Sequence, residues 1–350
     1  MVDLNFYKGK RVFLTGHMGF KGAWLSRILV RAGAFVTGYA SESPTTPNLW
    51  TLLEMKRDLR SVNGDIRDLD VLKTSFDEAK PEIVIHMAAQ PIVREGYRNP
   101  VGTYATNVMG TVHLLECVRL LDCVRSVINV TTDKTYRNKE WCWGYREEDV
   151  LGGFDPYSGS KSCSELVTET YNRSFLMERG VAVSTARAGN VIGGGDFAND
   201  RIIPDCVRAA QQGNAIIVRN PNSIRPYQHV LEALGAYLLI AQRQYEKPEI
   251  AGYYNIGPND DDCVKTGDLA DIFCAAWGEP ARWENHSEPD APHEAHFLKL
   301  DCSKIKTVLG WRPKLDIHEA VGQTVAWEKA RISDGVNIRV MTDKQIDEYF

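Results

Sequence analysis

The segment Thr15-Gly16-His17-Met18-Gly19-Phe20-Lys21-Gly22 follows the short apolar run Arg11–Thr15 and opens a helix-length stretch from Gly22 to Ala32. Strand, glycine turn and helix in that order leave few folds open. Glycines at 16, 19 and 22 permit a tight turn and a close backbone approach to a pyrophosphate. The helix that follows directs its positive end at the phosphate. The placement predicts dinucleotide binding, with Gly16, Gly19 and Gly22 as the cradle.

The alternation continues. Apolar runs at 34–39, 82–86, 126–130 and 181–185 are separated by helix-length segments, among them 102–121 and 158–179. This pattern predicts an α/β fold, a Rossmann-type doubly wound parallel sheet covered on both faces, with right-handed crossovers. After Arg187 the texture changes to glycine- and proline-rich loops and short strands as far as Tyr227; a helical pattern at 230–244 and the strand-like Tyr253-Tyr254-Asn255-Ile256 follow. The expected division is an NAD-binding domain of residues 1–187 and about 228–257, and a smaller, discontinuous α/β substrate-binding domain of about 188–227 and 258–350. The length of 350 residues suits two domains at roughly 150 residues each.

Composition narrows the partners. Lysine plus arginine is 41 against 46 for aspartate plus glutamate, a net charge of −5. A nucleic-acid binder carries a basic excess, and none is present. No apolar run approaches the length of a membrane span, and the first residues lack the apolar core of a signal peptide. None of the eight cysteines forms a Cys-x-x-Cys pair or sits at zinc-finger spacing with histidine, so free thiols in a reducing, cytoplasmic setting and no metal site are expected.

Two further motifs carry chemistry. Tyr157-Ser158-Gly159-Ser160-Lys161 sets a tyrosine and a lysine at i, i+4 on one helix face, behind Pro156 as a helix start. An ammonium beside a phenol favours the phenolate and lowers its pKa, which makes the tyrosine a base near neutral pH. Thr131-Thr132-Asp133-Lys134 closes the 126–130 strand, and polar groups at the carboxyl end of a parallel strand meet the ligand crevice. There Thr132 would hold a substrate hydroxyl, Asp133 would be an acid and Lys134 a base or an electrostatic partner. No lysine or arginine lies between Tyr39 and Met55 to meet a 2′-phosphate, which favours NAD over NADP. Asp65 reads either as an acceptor for the adenine amino group or as a turn residue.

Taken in order, Gly16–Gly22, Asp65-Ile66, His86-Met87-Ala88-Ala89-Gln90, Asn107-Val108-Met109-Gly110-Thr111, Thr131-Thr132-Asp133 and Tyr157 to Lys161 resemble the extended short-chain dehydrogenase/reductase family over nearly the whole chain. Within it the likeness is to the sugar-nucleotide 4,6-dehydratases, and through Gly16–Gly22, Lys134 and Ile224–Glu232 to their cytidylyl branch. Members acting on dTDP- or GDP-sugars typically carry glutamate where Lys134 stands, and simple epimerases lack the acid/base pair. The resemblance implies NAD held by Gly16, His17, Gly19, Phe20, Gly22, Asp65, Ile66, Ala88, Ala89, Gln90, Asn107, Tyr157 and Lys161. It implies Thr132, Asp133, Lys134, Tyr157 and Lys161 as catalytic residues. Thr132, Asn190, Arg219, Arg225 and Asn259 are the implied contacts to the substrate, CDP-glucose. The implied reaction is C4 oxidation, loss of water across C5 and C6, and hydride return to C6, in a homodimer or higher oligomer. The identity of the C5 base is open between Lys134 as base and Lys134 as cation. A 4-epimerase or a dehydratase for a dTDP- or GDP-sugar is the alternative on the same fold, and a silent NAD-binding regulator is the alternative of another class. His229 is expected to be structural, and His293 and Glu294 carry no assigned role.

Overall fold

Arg11–Thr15 is strand β1, buried but for its first residue. In chain order there follow β2 (Phe35–Ala40), β3 (Arg60–Asn63), β4 (Ile83–His86), β5 (Ser126–Val130), β6 (Ala182–Ala188), β7 (Asn190–Ile192), β8 (Ile216–Val218), β9 (Ile224–His229), β10 (Tyr253–Ile256), β11 (Cys263–Lys265) and β12 (Trp283–Asn285). The computed structural model describes residues 2–287, 296–333 and 335–350; His293 and Glu294 lie outside them.

Seven strands form one sheet in the order β10-β6-β5-β4-β1-β2-β3, every pairing parallel. The order runs outward in both directions from β1, so a crevice opens beyond the carboxyl ends of β1 and β4. Register sets Thr15, His86 and Asn129 level across β1, β4 and β5. Period-two alternation sends side chains to two separate cores. Val12, Leu14, Ile83, Ile85 and Ile128 pack against Trp24, Ile28 and the helix Val230–Glu246 on one face. Phe13, Val84, Val127 and Val183 pack against Leu72, Phe76, Leu114 and Val118 on the other. These strands are apolar along their length because both faces are covered.

A third core joins Ile203, Val207, Ile216, Val218, Phe273, Val321 and Val325. It lies under two small sheets, β11-β9-β7 and β12-β8. The C-terminal helix Ile338–Tyr349 returns to the seven-stranded sheet's side: Ile338, Ile346 and Tyr349 enter the core of Val12 and Trp24, Arg27 donates to Asp343 at 2.6 Å, and Tyr349 donates to Glu232 at 2.7 Å. All eight cysteines are free. Among the described residues no helix is long and apolar enough to cross a membrane, and no cluster of potential metal ligands occurs.

Candidate active site

The glycine turn closes tightly on the loop after β4. Gly16 has φ +72°, and a Cβ there would stand 2.8 Å from the Ala88 nitrogen; one on Gly22 would stand 2.1 Å from the Gly16 carbonyl. Gly19 differs: the nearest atom to its Cβ position is 3.4 Å away, and as N-cap of the helix Phe20–Arg31 it offers no side-chain acceptor. The first-turn amides therefore keep their donors for an anion. His17 is buried, bonded through Nε2 to Ser61 at 2.8 Å and set edge-on to Trp50; burial pulls its imidazole down to about 4. Asp65 is held by Arg67, whose backbone nitrogen and Nε both donate to it at 2.9 Å, and Ile66 packs against Gly110. Ala88 donates its amide to Thr15 at 3.1 Å, and Ala89 is half-buried beside it. Asn107 exchanges two hydrogen bonds with the Gln90 backbone, at 2.8 and 3.1 Å, and donates to Ser160 at 2.8 Å. Gln90 and Asn107 thus tie the crevice wall to the helix that carries Tyr157.

That helix, Pro156–Tyr171, starts on Asp155, whose Oδ1 accepts from the amides of Tyr157 at 2.9 Å and Ser158 at 3.0 Å. The cap fixes where Tyr157 leaves the backbone. Its phenol meets Thr132. Thr132 donates to Asp133 Oδ1 at 2.9 Å, and Lys134 Nζ lies 3.5 Å from the same oxygen. Asp133 is fully buried, and its Oδ2 has no hydrogen-bond partner among the described residues. Lys161 donates to the Val130 carbonyl at 3.0 Å. Burial, ahead of any neighbouring charge, governs both members of the Tyr157–Lys161 pair. Burial pushes Tyr157 up to about 12, opposed by its contact with Thr132, and burial pulls Lys161 itself down to about 8. Desolvation outweighs the neighbouring charge because both groups sit out of water.

From Tyr157 runs a cleft of about 430 Å³, lined by Phe20, Thr132, Lys134, Asn190, Arg219 and Arg225 among others. Asn190 Oδ1 is buried there without a partner among the described residues, and Arg225 is buried at the start of β9. Arg219 donates twice to Asp200 at 3.1 Å. Asn259 stands apart. It is exposed, its Oδ1 accepts from Lys306 at 3.0 Å, and it does not line the cleft. His229 caps the helix Val230–Glu246, accepting from the Leu231 amide at 3.4 Å, which is the structural part expected of it.

The sequence pattern of the GDP-mannose 4,6 dehydratase family matches residues 13–324. The chain belongs to that family. A CDP-glucose 4,6-dehydratase of Salmonella typhimurium is 48% identical, over 100% of this chain and 98% of that one. A dTDP-glucose 4,6-dehydratase of Haemophilus influenzae is 26% identical, over 90% and 97%. Two solved structures share the fold. They are a UDP-glucose 4-epimerase of Thermotoga maritima with UDP-glucose (TM-score 0.80, 21% identity, 92% and 99% covered) and a dTDP-glucose 4,6-dehydratase of Bacillus anthracis with NAD (0.77, 20%, 92% and 97%).

In this member of the family Lys21 and Arg201 are among the cleft's cations that the motif reading passed over. Lys21 is pulled down to about 7 by burial and by the charges of Lys161 and Arg201. Arg201 donates to Asp196 at 2.9 Å, and its charge lowers the Tyr157 phenol. Lys21 stood in plain view inside the glycine turn, where a cation is a signal in itself. Arg201 had none, because the fold alone brings residue 201 to Tyr157.

Proposed function

We propose that the chain is an NAD-dependent CDP-glucose 4,6-dehydratase, converting CDP-D-glucose to CDP-4-keto-6-deoxy-D-glucose and water. The observation that carries the reading is the Thr132-Asp133-Lys134 set gathered against Tyr157, in a chain 48% identical throughout to an enzyme of that name.

The residues present fit NAD. The open side of Gly19, the uncapped amides that follow it and the lack of lysine or arginine between Tyr39 and Met55 suit a pyrophosphate and an unphosphorylated ribose. Gly16, Gly19 and Gly22 would hold the pyrophosphate, with Asp65, Ile66, Ala88, Ala89, Gln90 and Asn107 along the crevice. When bound, NAD supplies the acceptor for the C4 hydrogen and its return to C6.

The chain's own residues handle the protons. Tyr157, through Thr132, takes the O4 proton. A phenol held near 12 needs positive charge around it, and Arg201 provides that. Lys134 and Asp133 lie within one proton transfer of each other. Passing that proton from ammonium to carboxylate leaves an amine base for C5–H and a carboxylic acid for the departing C6 hydroxyl, the two forms elimination requires. Asn190, Arg219 and Arg225 bind the substrate's diphosphate side; a guanidinium fork suits phosphate oxygens. The domain of the seven-stranded sheet serves the cofactor and the smaller domain the sugar nucleotide, with the helix Ile338–Tyr349 docked back on the first.

The chain works as a homodimer or larger assembly. Tyr104, Met109, Leu166 and Phe175, from the helical stretches 100–120 and 156–179, are each at least 40% exposed, apolar surface that a second copy would cover. We place it in the cytoplasm, where eight free thiols stay reduced. Incubation with CDP-, dTDP-, GDP- and UDP-glucose, followed by the alkali-induced absorbance of a 4-keto sugar, tests the reading. CDP-glucose should give the signal. Preference for another nucleotide, or a C4 epimer without water loss, would refute it.

A further inference from the structure

One turn beyond Lys161, Glu165 is buried with Arg187 in an ion pair, their side chains 1% and 2% exposed. Arg187 grips both carboxylate oxygens, Nε to Oε1 at 3.0 Å and Nη2 to Oε2 at 2.9 Å. Thr185 of β6 donates to Oε2 at 2.8 Å, and Thr131 donates to Oε1. Behind the pair, Arg187 donates to the Tyr136 hydroxyl at 2.9 Å and the Glu147 carbonyl at 2.8 Å, and it lies 5.1 Å from the rings of Tyr136 and Tyr253. A buried ion pair adds little net stability over an apolar pair of the same shape, so its use here calls for another account.

Thr131 provides that account. It sits between Val130, whose carbonyl takes the Lys161 ammonium, and Thr132, which meets the Tyr157 phenol. Its amide is already fixed to the Ala186 carbonyl at 2.9 Å. Glu165 therefore clamps the helix of Tyr157 and Lys161 to the one residue of β5's end that adjoins both of their contacts.

We propose that Glu165, anchored by Arg187, is a positioning residue that sets the Tyr157–Lys161–Thr132 geometry and keeps Lys161 charged during turnover. The inference rests on the reading of Tyr157 and Lys161 as the pair that oxidises C4. The charged and titratable groups around Lys161 are Lys21 from the glycine-turn helix, His86 from the end of β4, and Tyr157 and Glu165 from its own helix. Lys21 opposes a second cation and burial holds His86 neutral, whereas the Glu165 carboxylate favours the ammonium. Around Glu165 itself stand Arg187, Tyr136 and Tyr253, with Glu147 beyond.

The test is the pH dependence of kcat and KM for CDP-glucose in the NAD-loaded enzyme, with folding checked by thermal melting. Glu165→Gln keeps the shape and removes the charge. The alkaline limb should move to lower pH by about one unit. The kcat at the optimum should fall about tenfold or more, with KM within about twofold. Glu165→Asp should keep the limb where the wild type has it. A folded Glu165→Gln with an unmoved limb and unchanged kcat would overturn the proposal. If that variant does not fold, Arg187→Lys decides: loss of the fork should lower kcat at least about tenfold at constant KM, and an unchanged kcat overturns the positioning role. A wild type inactive on CDP-glucose removes the premise and overturns both readings, which separates that failure from one in which only the variants disagree.

Discussion

Tyr157→Phe removes one hydroxyl from a helix end already fixed by Asp155 and Pro156. Turnover should fall about a thousandfold, while calorimetric NAD affinity stays within a few-fold; a variant that turns over normally would remove Tyr157 from the chemistry. Lys134→Ala should cost about a hundredfold or more and should abolish deuterium uptake at C5, because its amine is the group assigned to that proton. Asp133→Asn should lose both water elimination and C5 exchange, because the amide cannot take the Lys134 proton. Unchanged C5 exchange in either variant would show that the pair does not handle that proton. At this scale the Tyr-x-x-x-Lys spacing and the Thr-Asp-Lys strand end were legible, because i, i+4 neighbours and strand-end positions are local geometry. The state of the phenol was not. Spacing indicates which charges are near but not how much water is excluded, and burial decides the direction for both Tyr157 and Lys161. Asn259 shows the same limit, since only the fold turns it toward Lys306 and away from the cleft.

Elements carry the cofactor reading through the turn between β1 and the helix Phe20–Arg31. Gly22→Ala would drive a Cβ to 2.1 Å from the Gly16 carbonyl, so the turn must open, with lower melting temperature and lost NAD binding together. Gly19→Ala meets nothing closer than 3.4 Å in the protein and should fold normally, yet weaken NAD about tenfold or more by filling the crevice. Paired calorimetric titrations and melts distinguish the two; normal NAD affinity in Gly19→Ala would place the pyrophosphate elsewhere. The sheet was readable because fully buried parallel strands are uniformly apolar and alternate with helices. The docking of Ile338–Tyr349 was not, because it depends on partners such as Arg27–Asp343 and Tyr349–Glu232, more than a hundred residues apart in sequence.

Across the whole molecule, three histidines among the described residues are buried neutral: His17 is pulled to about 4, and His86 and His229 to about 3, each chiefly by desolvation. The unfolded chain titrates them near 6.5, so below that pH it binds protons the folded chain refuses. Stability from this source is complete above pH about 7. It falls as pH drops toward the folded values, by up to about 1.4 kcal/mol per pH unit for each histidine. Buried carboxyls with raised pKa, such as Glu232 and Glu328, act in the opposite sense, so the histidine contribution is read from a variant. His229→Asn keeps a cap acceptor and removes the titration. Its urea-unfolding free energy should depend less steeply on pH between about 6.5 and 5, and an unchanged slope would mean that His229 is already protonated in the fold. For the assembly, light scattering at micromolar concentration should give at least a dimer, and Leu166→Glu should lower the mass; a wild-type monomer contradicts the proposed interface. The central claim is the chemistry itself, and turnover of CDP-glucose in deuterated water followed by mass spectrometry and proton NMR tests it most directly. A dehydratase built on Tyr157, Lys134 and Asp133 predicts a product that has lost one water, bears one deuterium at C5 and has a methyl group at C6. A product of unchanged mass with C4 inverted, or one without deuterium at C5, would contradict the account.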